Sequence, residues 1–242
     1  MSDAQLLAVF CEGDAAGSPT AVLRGVFDDH QAQALATKLG LPATAFVAGE
    51  RVRFYSPSES LTVCYQALLA AAHVLGAPRT RFALIDRELE VELDGERAWV
   101  ISARDSVIDG GDVRTPWGDD ARVFDTGRKR AYARMSLAQL DSLQLLPDVA
   151  FNWLRASGLS GLCLLARDGE TLRMRVFTTS LEGHEDVATG GAAAALPALL
   201  EHDGPFTIVQ GVARRGMLHV KTRGDDVLVG GRVEPLLRGS LL

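Results

Sequence analysis

Ser60-Leu-Thr-Val-Cys64-Tyr-Gln66-Ala-Leu-Leu-Ala-Ala-Ala-His73-Val-Leu-Gly76 starts as a short polar lead-in, reaches a cysteine, and then runs into a helix of alanine and leucine with almost no polar face. A helix that is apolar all round has to be buried, so strands should wrap it on most sides. Glu185-Asp186-Val-Ala-Thr189-Gly190-Gly191-Ala-Ala-Ala-Ala-Leu-Pro197-Ala-Leu-Leu200 repeats the design, with an acidic lead-in and with threonine where the cysteine stood. Cys64 and Thr189 are 125 residues apart (189 − 64), about half of the 242-residue chain. Two similar halves follow, each built around one buried helix, with the two helix beginnings facing each other across a cleft.

Outward from these helices the chain is rich in short strand-like runs. In the first half they cover Leu6 to Cys11, Ala21 to Phe27, Thr44 to Val47, Val52 to Tyr55, Arg81 to Ile85, Leu89 to Leu93 and Ala98 to Ser102; apolar or β-branched residues alternate there between turn signals. Asp29 to Leu39 reads as an amphipathic surface helix with an aspartate cap before it and Gly40 closing it. From Asp105 to Arg130 the pattern dissolves into Asp, Gly, Pro and Arg, which predicts a linker over residues 111–130. Helices near Ser136–Leu145 and Asp148–Ala156 come next, then strands at Gly161–Arg167, Thr171–Thr178, Phe206–Gln210, Met217–Thr222 and Asp226–Val229, with Gly230-Gly231 as a turn signal. The expected class is α/β (α+β): a half at 1–110 with central helix 65–76, the linker, and a half at 131–242 with central helix 190–201. Each half is a curved, mostly antiparallel sheet around its helix.

Composition narrows the function. A formal charge of −6, with 25 basic residues scattered among 31 acidic ones, excludes the dense basic surface that nucleic acid requires. Arg128-Lys129-Arg130, the one tight basic cluster, reads as a solvated connector. No run approaches the roughly 20 apolar residues needed to span a bilayer, and the opening Leu6-Leu-Ala-Val-Phe10 is too short for a signal segment, so a cytoplasmic location is expected. Cys11, Cys64 and Cys163 fit no zinc spacing, so no metal is expected. Cys11 and Cys163 sit in apolar runs and read as core.

Thr189-Gly190-Gly191 opens a helix with small residues, where unpaired N–H groups and the dipole favour a carboxylate. The bland alternative, a glycine pair that only lets the helix pack closely, is equally weighted on these residues. Cys64, at the matching place, is a candidate base or nucleophile if the dipole lowers its thiol from about 8.5; the competing reading is an inert buried thiol. Asp186 is the best carboxylate for acid/base work, with a helix-dipole partner as its alternative role. His73, inside the first helix, and His184, beside the acidic pair, read as core and solvated histidines. No nucleophile elbow, phosphate loop or dinucleotide fingerprint occurs.

The order of several short segments resembles the phenazine-biosynthesis PhzF-like family, a branch of the diaminopimelate epimerase fold. They are Val9-Phe10, Gly17-Ser18-Pro19, Ala43-Thr-Ala-Phe-Val47, Arg53-Phe-Tyr-Ser-Pro57 with Glu59, Cys64 before its helix, Asp186 with Thr189-Gly190, Gln210-Gly211 and Val229-Gly-Gly231. The resemblance spans nearly the whole chain apart from a shortened middle. It implies an active site between the halves, often a homodimer, and a cofactor-independent isomerase that moves a proton next to a carboxylate or carbonyl while helix-start amides hold the carboxylate. Matched residue by residue, a catalytic glutamate corresponds to Ala43 and the Gly-His after the cysteine to Tyr65-Gln66. A serine corresponds to Gly191 and an asparagine to Ser18, while the aspartate is kept as Asp186.

The resulting expectation is a divergent isomerase acting on a small carboxylate-bearing metabolite. Asp186 and Cys64 are its acid/base candidates, and Thr189, Gly190, Gly191, Tyr65, Gln66 and Ser18 its binding residues. The alternatives are a catalytically silent binding protein with the same cleft, and a shape-based cyclisation or rearrangement catalyst whose pocket Tyr65 and Gln66 line.

Overall fold

The computed structural model describes residues 3–240. The first half runs β1 (Asp3–Val9), β2 (Ser18–Arg24), α1 (Asp29–Leu39), β3 (Ala43–Ala48), β4 (Arg51–Tyr55), β5 (Ser60–Leu61), α2 (Tyr65–Leu75), β6 (Arg79–Ala83), β7 (Glu88–Asp94) and β8 (Arg97–Ala103). β9 (Ile108–Arg114) and β10 (Asp120–Asp125) follow. The second half continues with β11 (Lys129–Arg134), α3 (Leu137–Ser142), α4 (Pro147–Ala156), β12 (Gly161–Asp168), β13 (Thr171–Thr178), β14 (Glu185–Asp186), α5 (Gly190–Ala193), α6 (Leu196–Leu200), β15 (Phe206–Gln210), β16 (Gly216–Arg223) and β17 (Asp226–Ser240).

The pairings show the internal repeat. β2 and β3 are parallel across α1, as β11 and β12 are across α3 and α4. β4 and β6 are parallel across β5 and α2, as β13 and β15 are across β14, α5 and α6. The remaining pairings are antiparallel, as expected for an α+β protein of two similar halves. Around α2 the sheet closes on itself in the order β1, β2, β3, β4, β6, β7, β8, β17 and back to β1. Closure leaves these strands without a free edge. Inside it, every residue from Tyr65 to Ala72 is buried, and Leu68 and Leu69 are fully so; burying each such leucine contributes about 1.5–3 kcal/mol. Gly76, at φ 70°, ends the helix in the left-handed conformation that glycine adopts without strain.

Three expectations are corrected. Residues 111–130 are not an irregular linker: β9 and β10 form an antiparallel pair there and join β11. Their apolar residues, Val113, Ala121 and Val123, lie among Asp and Arg residues that hide the alternation, and Arg122 reaches across to Asp109 and Asp112. Gly230-Gly231 is not a turn but the middle of β17. A Cβ on Gly230 would fall 2.4 Å from the Ala98 carbonyl oxygen, and one on Gly231 2.6 Å from the Phe10 ring. Close strand approach, not a reversal, requires glycine here. β17 therefore runs on, and its residues 226–240 pair with β8 and β1 of the first half. Finally, the second central helix is two pieces, α5 and α6, because Pro197 has no N–H to donate to the preceding turn.

α1 illustrates the local rules. Asp28 Oδ1 accepts from the Gln31 N–H at 2.8 Å while Gln31 Oε1 accepts from the Asp28 N–H at 3.1 Å, a reciprocal capping box. Asp28→Ala removes one half of it and is expected to lower stability by about 1 kcal/mol, read from the midpoint of a urea unfolding curve with the slope unchanged.

Candidate active site

Cys64 and Thr189 are the N-cap residues of α2 and α5, and the starts of the two helices meet. A Cβ on Gly190 would lie 2.7 Å from Cβ of Tyr65, so the glycine is what lets α5 come this close to α2. At this meeting point lies a cavity of about 50 Å³, whose lining includes Ala43, Cys64, Tyr65, Gln66, Arg128, Arg130, Asp186 and Thr189 to Gly191. A water needs roughly 10–15 Å³ on this scale, so the cavity takes a group of a few heavy atoms.

Asp186 stands on β14, which pairs with β13 and so holds the carboxyl below the start of α5. Its Oδ2 accepts from the Thr189 hydroxyl at 2.6 Å, and its Oδ1 is buried with no hydrogen-bond partner among the described residues. Burial raises the carboxyl from 3.8 to about 6, against the lowering effect of the Thr189 hydrogen bond and, further off, of Arg130. Gln210, fully buried on β15, organises this corner. Its Nε2 donates to the Asp186 carbonyl at 2.8 Å and to Thr189 Oγ1 at 2.9 Å, while its Oε1 accepts from the Thr189 N–H at 2.9 Å. The Thr189 amide is thereby taken, which corrects the expectation that it binds a ligand; among the described residues the Gly190 and Gly191 N–H groups have no acceptor. Gln210 appeared in the sequence only as part of a Gln-Gly pair, and a fully buried amide has no signature at that level.

The other expected residues divide. Cys64 faces the cavity, but burial pushes its thiol up to about 11, the Ala67 N–H opposing and Asp186 reinforcing the rise. Of the two readings of Cys64, burial favours the buried thiol, protonated at neutral pH, over the dipole-lowered thiolate. Tyr65 supplies a buried ring as wall. Gln66 lines the cavity, yet its Nε2 is engaged by Thr20 Oγ1 at 2.6 Å and the Pro19 carbonyl at 3.3 Å. Ser18 is fully buried outside the lining, its hydroxyl unpartnered among the described residues. Ala43, the counterpart of a glutamate in the resemblance, is part of the cavity wall. His184 is exposed, and His73 lies near the far end of α2.

The basic cluster is also corrected, because only Lys129 is exposed. Arg128 leans on Glu59, Nη2 to Oε1 at 2.7 Å. Arg130, on β11, points inward and is 6% exposed. Its Nη1 donates to Thr126 Oγ1 at 3.0 Å and to the Arg128 carbonyl at 3.1 Å, and the Thr126 hydroxyl in turn donates to the Gly191 carbonyl at 2.8 Å. Alternation along β11 put Arg130 inside, but the charge-rich neighbourhood concealed it. Among the described residues no three His, Cys, Asp or Glu side chains gather as a metal site, and no helix is long and apolar enough to cross a membrane.

Two linked halves, a helix start from each, and an acid with a thiol between them define a protein of the diaminopimelate epimerase fold class. Within that class the chain resembles the PhzF-like family over its whole length, as the ordered motifs implied. A PhzF family protein of Enterococcus faecalis superposes with a TM-score of 0.79 at 20% identity, covering 100% of both chains. A protein of Pseudomonas aeruginosa described as a predicted epimerase gives 0.83 at 25% identity, over 100% of this chain and 99% of its own. In sequence, an uncharacterized isomerase of Pseudomonas aeruginosa is 27% identical over 96% of this chain and 95% of its own length. No family model matches the chain.

Proposed function

We propose that the protein is an isomerase that shifts a proton on a small carboxylate-bearing metabolite in the cytoplasm, with Asp186 as its base. The observation that carries this reading is the Asp186 carboxyl, lifted to about 6 by burial in the one cavity where both helix starts converge. An acid poised near neutral pH both takes and returns a proton readily. Asp186 removes a proton from the carbon between the substrate carboxylate and a neighbouring C=C bond, the electron pair spreads over both, and the proton returns at the far end of the double bond, which moves one position toward the carboxylate. The unclaimed amides of Gly190 and Gly191 face the anion. Cys64, protonated at neutral pH, can give a proton but not take one, so it stands as an auxiliary donor. That relatives are named as isomerases supports the reaction class.

Deuterated water containing amino acids, hydroxy acids or dihydroaromatic carboxylates provides the test. Deuterium incorporation dependent on the protein is expected for at least one class, followed by mass spectrometry. Cys64→Ala should slow it about tenfold or less, the pH profile keeping its rise near 6; a larger loss would make the thiol essential. Ala43, occupying the place of a glutamate in the cavity wall, favours a second reading: a PhzF-like binding protein without turnover. Absence of incorporation across the panel while a ligand still raises the melting temperature would overturn the proton-shifting reading, and an unchanged ligand recovered after incubation would then distinguish the binding protein from a shape-based catalyst.

A further inference from the structure

Arg130 is a buried cation with no carboxylate in contact with it among the described residues, the Asp186 carboxyl acting on it only from further off. Among the described residues no carboxylate oxygen lies within 4.0 Å of its guanidinium, and Nε is buried with no hydrogen-bond partner in a residue that is 6% exposed. Arg175 shows how this protein otherwise buries an arginine. At 9% exposure, its Nε and Nη2 grip Glu185 at 3.2 and 2.8 Å, and Nη1 donates to the carbonyls of Leu140 and Leu143. An unpaired buried charge is strongly unfavourable, whereas a paired and hydrogen-bonded one is tolerated. Among the described residues Arg130 has only the neutral Thr126 and Arg128 oxygens, both on Nη1, while Nη2 has no partner, Nε lies buried and unpartnered beside it, and the residue is part of the cavity lining.

The repeat sharpens the point. Gln66 and Gly191 are the second residues of α2 and α5, 125 positions apart (191 − 66), and each faces the strand that precedes its half's parallel crossover. In the first half that strand presents Thr20, and the Gln66 amide closes onto it at 2.6 Å. In the second half it presents Arg130, and the residue opposite is a glycine. A Cβ on Gly191 would be 3.3 Å from both Nη1 and Nη2. One half is therefore filled and neutral, while the other keeps a fixed cation beside open space. Arg128, the other cation in the lining, is already neutralised by Glu59.

We propose that Arg130 is the seat of the ligand's carboxylate, its Nε and Nη2 donating side by side to the two oxygens, so that the cleft selects a planar monoanionic group over a neutral or a bulkier anionic one. Planar bidentate pairing is the geometry in which guanidinium recognises carboxylate. The proposal rests on the carboxylate ligand of the preceding reading, but not on turnover. As Asp186 takes a proton and negative charge grows on the substrate, this fixed cation lies where the charge develops.

The experiment is a nuclear magnetic resonance titration of the nitrogen-15-labelled full chain with acetate and L-lactate, with acetamide and lactamide as neutral counterparts, and with inorganic phosphate. Both carboxylates should move the Arg130 Nε–H resonance and the Gly190 and Gly191 amides, and the carboxamides should not. Arg130→Gln should weaken carboxylate binding about 10- to 100-fold, the loss expected for a charge-assisted contact. Arg130→Lys, which keeps the charge without the fork, should lose less, and Asp186→Asn should bind as tightly as the parent or more so. Undiminished binding in a folded Arg130→Gln, equal binding of carboxamides, tighter binding of phosphate, or an unmoved Nε–H resonance in the unaltered chain would each overturn the proposal. Should any of the three variants fail to fold, the Nε–H response of the unaltered chain decides alone. Loss of proton exchange with this binding pattern intact would sink the enzyme reading and leave Arg130 in place.

Discussion

Asp186→Asn is expected to lower deuterium incorporation by about 10²- to 10⁴-fold, the usual contribution of a positioned proton-transfer group, while making the folded protein more stable. The two effects have one cause. Burial raises the Asp186 carboxyl from 3.8 to about 6, so the unfolded chain releases this proton near pH 4 and the folded chain keeps it until about pH 6. Between those values the folded state binds more protons, and stability attributable to this group falls as pH rises through the window and is level above it. A shift of about two units corresponds to roughly 3 kcal/mol as an upper bound, since the side chain is partly exposed and water screens it. The asparagine variant is neutral throughout, so its advantage is absent below about pH 4 and full above about pH 6. Turnover runs the other way: the base works only when ionised, so the exchange rate of the unaltered protein should climb through about pH 6 and then level. Melting curves from pH 4 to 8, set beside exchange rates, check both halves. An Asn variant that keeps full exchange, or melts lower at pH 8, would remove Asp186 from the role of buried base.

The buried-helix pattern made the architecture legible, because Tyr65-Gln66-Ala67-Leu68-Leu69 and the residues after it have only two sides available in any fold, both interior. The repeat was equally readable in Cys64 and Thr189, which became the two N-caps. What stayed hidden was of two physical kinds. Strands β9 and β10 are half solvated and carry Asp and Arg on the wet face, so their period-2 signal is thin. Glycine has several uses, and nothing local distinguishes a turn from a close crossing; Gly230 and Gly231 are read correctly only once Ala98, Trp99 and Phe10 are seen against them. At the site, Asp186 was found from its place before a helix, whereas Arg130 and Gln210 depend on which strand face turns inward. Ser18 was carried over by resemblance alone and lies outside the cavity lining. For Cys64 the sequence left open a dipole-lowered thiolate and an inert buried thiol, and at this cap burial outweighs the helix dipole.

Gly190→Val is expected to destabilise the protein by about 3 kcal/mol, the upper end for overpacking a core, and so to lower the melting temperature by roughly 6–12 °C in a chain of this size. The Cβ alone would stand 2.7 Å from Tyr65 Cβ and 3.3 Å from the Phe10 ring, and Tyr65 Cβ is tied to the α2 backbone, so relief requires one helix to move against the other. Gly191→Ala, one residue on, meets only the guanidinium of Arg130 at 3.3 Å, the far end of a long side chain. There the loss of glycine's backbone freedom favours the variant by about 0.5–1 kcal/mol, and its melting temperature should stay near that of the parent while carboxylate binding weakens. The adjacent glycines differ in what a side chain would meet: on Gly190 it meets the other central helix, and on Gly191 the Arg130 guanidinium, in front of which the proposed carboxylate sits. Equal melting temperatures for the two variants would deny the packing role of Gly190, and undiminished binding in Gly191→Ala would deny that the gap in front of the guanidinium matters.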